Sequence, residues 1–163
     1  MLGSEMEYYI KDGNYKTITN GTFLQWQLYV NKDNKLYNKF SMAETLLWND
    51  CNTNPSELIR AESKKKVMMI LGYECDEIIM TCKNGTQKYY FNSKLKINPK
   101  VFAAHNFFNL NKYLAMARAV PLKTIVETDQ FILASEATEI EEMKLDDTFF
   151  NLPADAETAP SPY

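Results

Sequence analysis

Histidine occurs once in this 163-residue chain, at His105, and cysteine three times, at Cys51, Cys75 and Cys82. Zinc ligands usually come in pairs about two to four residues apart, a spacing these cysteines lack. With a single histidine, a closed tetrahedral site would also need a distant carboxylate, so neither a metal nor another cofactor is expected. Basic charge is scarce too: 18 Lys and Arg against 21 Asp and Glu leave a net charge of -3. That offers no broad positive field to phosphates and argues against nucleic acid as a partner. No stretch approaches the roughly 18 to 20 apolar residues that a membrane-spanning helix needs. The N-terminus lacks the basic region and apolar core of an export signal. Met1-Leu2-Gly3-Ser4 leads at once into strand-like residues, as at a start inside a domain or in a chain trimmed of its leader.

What is present is a sheet. Apolar residues at 45% and charged residues at 24% are ordinary for a folded domain. Ten Tyr, nine Phe and two Trp suit a pleated surface better than a helical bundle. Asp12-Gly13, Asn20-Gly21, the run Asn31 to Asn34 and Asn84-Gly85 punctuate short alternating segments, as reverse turns separate hairpin strands. Met6 to Lys11 alternates apolar and polar positions, and Asn14 to Thr19 follows after one tight turn. Thr22 to Val30 is the clearest segment, with Leu24, Trp26, Leu28 and Val30 on one face and Gln25 and Gln27 on the other. Lys35 to Phe40 and Thr45 to Asp50 are shorter strands.

Pro55 interrupts any ladder. Beyond it, the apolar run Val67 to Leu71, Gly72 and the alternating Glu74 to Cys82 read as one long strand bent by a bulge at the glycine. Gln87 to Asn92 returns after Asn84-Gly85. The period then changes: Leu110, Leu114 and Ala117 lie on one helical face, so a short helix is expected over Leu110 to Arg118, with Asn109 as its cap. Strands resume at Leu122 to Glu127 and Phe131 to Leu145. The expectation is one domain over residues 1–152, followed by a disordered tail, 153–163, rich in Ala, Pro and acids.

Catalytic machinery is thin. His105 and Cys75 or Cys82 form no local motif that would activate a thiol. The acidic cluster Glu136, Glu139, Glu141, Glu142, Asp146 and Asp147 lacks calcium-loop spacing. Asn20-Gly21-Thr22 and Asn84-Gly85-Thr86 match the glycosylation pattern, but their turn positions already account for the asparagines. Lys64-Lys65-Lys66 reads as a solvated turn or a lysine-protected edge strand in preference to an anion or membrane-surface site. Cys75 and Cys82, seven apart, face opposite ways in a regular strand. Either a bond from one of them to Cys51 or three buried free thiols fits the sequence.

Ile70-Leu71-Gly72-Tyr73-Glu74-Cys75-Asp76-Glu77, then Lys88-Tyr89-Tyr90-Phe91-Asn92, Pro121-Leu122-Lys123, and Lys144-Leu145-Asp146-Asp147 with Phe150-Asn151-Leu152-Pro153 form a series of short motifs. Together with Tyr8 to Tyr15, the series resembles a family of uncharacterised secreted, cell-envelope Bacteroidetes domains. Those domains are similar in fold to the periplasmic outer-membrane lipoprotein carrier and related lipoprotein chaperones. The resemblance implies an α+β fold: a strongly curved antiparallel sheet, an incomplete β-barrel meander, with a short helical segment covering its concave face. It also implies export to the periplasm or cell surface, no catalytic residues, and a cavity for a lipid or acyl chain. In this chain the lining would be Leu24, Trp26, Leu28, Trp48, Met69 and Met80, with Leu114 and Met116 opposite.

The functional expectation is therefore non-enzymatic binding of a hydrophobic ligand, a lipid or lipidated protein, in the manner of a carrier or chaperone. The alternative is an envelope protein-interaction module that uses a sheet edge or an exposed aromatic face. The two differ in where apolar surface lies, in a pocket or in the open.

Overall fold

The computed structural model describes residues 2–163. The fold is sheet-dominated α+β, with two sheets and one short α-helix among the described residues. The chain divides into two compact units, Met1–Asn52 with Met143–Tyr163, and Thr53–Glu142. The meander expected to form one domain thus supplies two separate sheets.

In the first unit, β1 (Met6–Lys11), β2 (Asn14–Thr19), β3 (Leu24–Val30), β4 (Lys35–Phe40) and β5 (Leu46–Asp50) form an antiparallel meander. Asp12 and Gly13 both have positive φ, 50° and 83°, the geometry that an Asp-Gly hairpin turn supplies at least cost. One face stacks tyrosines across three strands: Tyr15 lies 5.7 Å from Tyr8 and 5.2 Å from Tyr29. On the same face Gln27 donates to Asn38 Oδ1 at 2.7 Å, and Asn38 donates to Asn49 Oδ1 and Leu47 O at 2.9 Å. These bonds give the buried Asn38 and the half-buried Gln27 and Asn49 partners that replace water.

In the second unit, β6 (Leu58–Ile70), β7 (Tyr73–Cys82), β8 (Gly85–Lys96), β9 (Ala119–Thr128) and β10 (Ile132–Glu136) lie in the order β10-β9-β8-β7-β6. Gly72 does not bend one long strand. Ile70 pairs with Tyr73, so Leu71-Gly72 is a two-residue hairpin turn, with φ of 50° and 79°. The real irregularity in β6 is earlier, between Lys64 and Met68, where Lys66 takes a φ of 53° and its N–H donates to Asp76 Oδ1 at 3.0 Å. β6 itself begins at Leu58, well before the apolar run that pointed to a strand.

Helix α1 (Leu110–Ala117) lies on the chain between β8 and β9. It buries Tyr113, Leu114 and Ala117. Asn109 occupies the N-cap position in a left-handed conformation, but its side chain makes no cap bond. It donates instead to Ser56 O at 2.6 Å and to Cys82 Sγ at 3.5 Å, and accepts from Asn54 Nδ2 at 2.7 Å, tying the start of the helix to the loop before β6. On the opposite face of the sheet a core cluster gathers Ile70, Cys75, Tyr90 and Leu122. The expected strand Phe131 to Leu145 stops at Glu136, and residues 137–146 are irregular.

The chain end is ordered rather than loose. Phe149, in a short 3-10 turn (Asp147–Phe150), meets Tyr9 edge-on at 4.8 Å, and the Lys16 ammonium sits 5.0 Å from its ring centre. Leu46 then donates its N–H to Glu157 O, and β11 (Thr158–Pro160) pairs parallel with β5, inside the segment expected to be disordered. Main-chain bonding to a sheet edge holds this strand despite its Ala- and Pro-rich composition.

Candidate functional site

The eight residues expected to line a cavity divide evenly between the units. Leu24, Trp26, Leu28 and Trp48 belong to the first, and Met69, Met80, Leu114 and Met116 to the second. A register shift splits the expected face of β3: Leu24 pairs with Phe40, and Trp26 with the adjacent Lys39, which points to the other side of β4. Leu28 is fully buried, whereas Trp26 and Trp48 are half-buried beneath the ammonium groups of Lys16 at 5.3 Å and Lys35 at 3.8 Å. In the second unit Met80 and Leu114 are buried, while Met69 is 63% and Met116 45% exposed.

Of the eight, only Met69 lines either of two open concavities, and charge rims both. One, of about 410 Å³, is framed by Lys11, Lys144 and Asp146, and Lys11 donates there to Asp147 at 2.9 Å and to Leu145 O at 2.7 Å. The hydrogen bond to Asp147 raises the Lys11 pKa, and bonds from the Thr148 backbone and hydroxyl hold the Asp146 carboxyl below its usual range. The other, of about 550 Å³, lies beside the β6–β7 hairpin and is rimmed by Lys65, Lys66 and Lys94 with Glu74 and Asp76.

The thiols of Cys51 and Cys75 are held protonated by their surroundings. All three cysteines are free and buried. Burial pushes the Cys51 thiol up to about 12 and raises that of Cys75, the opposite of what an attacking thiolate requires. His105 is 2% exposed, and burial pushes its imidazole down to about 4. Among the described residues no three His, Cys, Asp or Glu side chains come together to hold a metal ion. Nor is any helix among them long and apolar enough to cross a membrane.

Apolar side chains stand in the open on the edge strands β1, where Met6 is 50% and Tyr8 39% exposed, and β6, with Ile59 at 63%, and they run consecutively at β10. All five residues of β10 are exposed, with Ile132 at 69% and Leu133 at 45%, and Phe131 before them is 47% exposed. Thr128 donates to Phe131 O, and Ala137 to Leu122 O. Backbone groups alternate sides along a strand, so the odd positions bond β9 and the N–H and C=O of Ile132, Ala134 and Glu136 point away from the sheet. The opposite edge, β6, carries lysines and a bulge, and β11 ends on Pro160, all devices that discourage pairing. Between Ile132 and Ser135, β10 has none of them. From Glu127 to Glu142 there are six acidic residues and no lysine or arginine. The sequence signal for this edge is the Phe-Ile-Leu triplet between Asp129 and Glu136; that it forms an edge depends on strand order, which no local pattern encodes.

No protein-family model, curated protein or solved structure matches the chain.

Proposed function

We propose that the protein is a non-enzymatic binding module of the cell envelope that accepts an extended polypeptide strand along β10. The observation that carries this reading is the exposed, unprotected edge at Ile132, Ala134 and Glu136, flanked by apolar side chains. An added strand would find free N–H and C=O groups for main-chain bonding, and the apolar tips of Phe131, Ile132 and Leu133 for side-chain contact. The acids from Glu127 to Glu142 favour a partner segment in which apolar and basic residues alternate. Placement in the envelope rests on the family resemblance alone.

The carrier reading has less geometric support. Pockets for small apolar ligands usually measure about 300–1,000 Å³ and are mainly apolar. The concavities within the two units have that size, but lysines and carboxylates rim them.

Fluorescence anisotropy with a labelled peptide of alternating valine and lysine tests the edge. The wild type should bind it, and Ala134→Pro should abolish binding, because proline removes an outward N–H and leaves the ladder to β9 intact. Undiminished binding by this variant would refute strand addition. Lipid retained through native mass spectrometry would favour the carrier.

A further inference from the structure

We propose that the tip of the β6–β7 hairpin docks on an anionic lipid bilayer. This role goes beyond strand pairing at β10 and stands on separate observations. The tip is Leu71-Gly72, with both residues at positive φ. Asn-Gly or Asp-Gly is the usual pair in such a turn, because a left-handed conformation crowds most other side chains against their own backbone. Leu71 accepts that strain and remains 41% exposed, with Met69 beside it at 63%. Little in the folding of the hairpin repays a leucine here: it is strained, and much of it stays in water. A Cβ built on Gly72 would meet nothing within 4 Å, so open space surrounds the tip.

Behind the apolar tip lies positive charge. Lys65 and Lys66 of β6 and Lys94 of β8 line the same concavity as Met69 and Gly72, and Lys64 precedes the first two on β6. Lys65 pairs with Asp76 at 3.0 Å and Lys66 with Glu74 at 3.7 Å. Three lysines around the concavity against these two carboxylates leave an excess of one positive charge, with Lys64 and Glu77 opposite each other in the ladder, on a chain whose net charge is -3. Leucine and methionine ahead of flexible lysines match the two layers of a bilayer surface: acyl boundary for the apolar side chains, phosphates for the ammonium groups. A tip this narrow presents little area to a protein partner, whereas a bilayer needs only shallow entry.

Co-sedimentation of the full chain with phosphatidylcholine vesicles, with and without phosphatidylglycerol, tests the proposal. Binding is expected only with the anionic lipid, and should weaken as salt is raised. Leu71→Asn should weaken it about tenfold, through loss of the buried leucine. The same variant installs the favoured Asn-Gly turn, so its melting temperature should stay level or rise, which separates lost docking from lost folding. Lys64→Glu with Lys94→Glu should weaken binding by about fivefold or more per lysine. Ala134→Pro should bind vesicles as the wild type does, which keeps this test independent of the strand-addition site. No sedimentation with anionic vesicles, equal binding to neutral ones, unchanged binding by Leu71→Asn, or displacement by inorganic phosphate at constant ionic strength would each overturn the proposal.

Discussion

Tyr113 stacks on Tyr89, with ring centres 4.1 Å apart and planes 23° from parallel, and its hydroxyl donates to Ala119 O at 2.9 Å. One residue thereby fixes α1 to the face of β8 and to the first residue of β9. Tyr113 is fully buried and also meets Phe91 edge-on at 6.1 Å. Tyr113→Ala should therefore cost about 3–5 kcal/mol, the range for removing a buried aromatic. Tyr113→Phe, which keeps the ring and loses one buried hydrogen bond, should cost only about 1 kcal/mol. Urea unfolding of both variants measures the difference.

His105 makes stability depend on pH. Its folded pKa is about 4, below the ordinary 6.5, because burial disfavours the charged ring. The unfolded chain takes up the proton more readily, so this contribution is complete above the unfolded value and disappears as pH falls toward about 4. At most it amounts to about 3 kcal/mol. Between about pH 7 and pH 4.5, His105→Gln should lose less stability than the wild type in parallel urea titrations, since it lacks this linkage.

The three thiols should be silent in the native state. All are free and at most 5% exposed, and burial raises the pKa of Cys51 and Cys75. A disulfide-exchange dye should label none of them until guanidinium is added, and then all three. Fewer than three after unfolding would reveal a bond between two of them.

Gly85 is fixed by close approach rather than by the turn. Cys82 pairs with Gly85, so Lys83 and Asn84 form the centre of the turn and the glycine opens β8. A Cβ there would collide with Glu127 O, at a φ of +152°. Gly85→Ala should cost more than about 2 kcal/mol by thermal or urea unfolding, because the obstacle is backbone of β9 and not a movable side chain.

How much of this was legible in the sequence depended on the range of the contacts. β1, β2 and β4 match their expected bounds, since alternation and Asp-Gly turn chemistry are local. The Leu71-Gly72 turn reads as a bulge in the sequence because leucine is an improbable turn residue, and polar Arg60 to Lys66 hide the first part of β6. The shared face of Leu24 and Trp26 was lost to a register shift that shows only once β4 is laid alongside. Phe149 on Tyr9, and β11 on β5, join residues more than a hundred positions apart, beyond any periodicity. For the candidate site, the strand expected over Phe131 to Leu145 includes β10 but runs past its end at Glu136, and the exposure of β10 follows from its place at the end of the sheet order.

The account turns on whether a strand can add to β10, and backbone amide exchange read by NMR addresses that directly. With the valine-lysine peptide bound, the amides of Ile132, Ala134 and Glu136 should become protected, while those of Leu133 and Ser135, already directed at β9, should change little. Protection that spares Ile132, Ala134 and Glu136, or that appears instead around Met80 and Leu114, would contradict it.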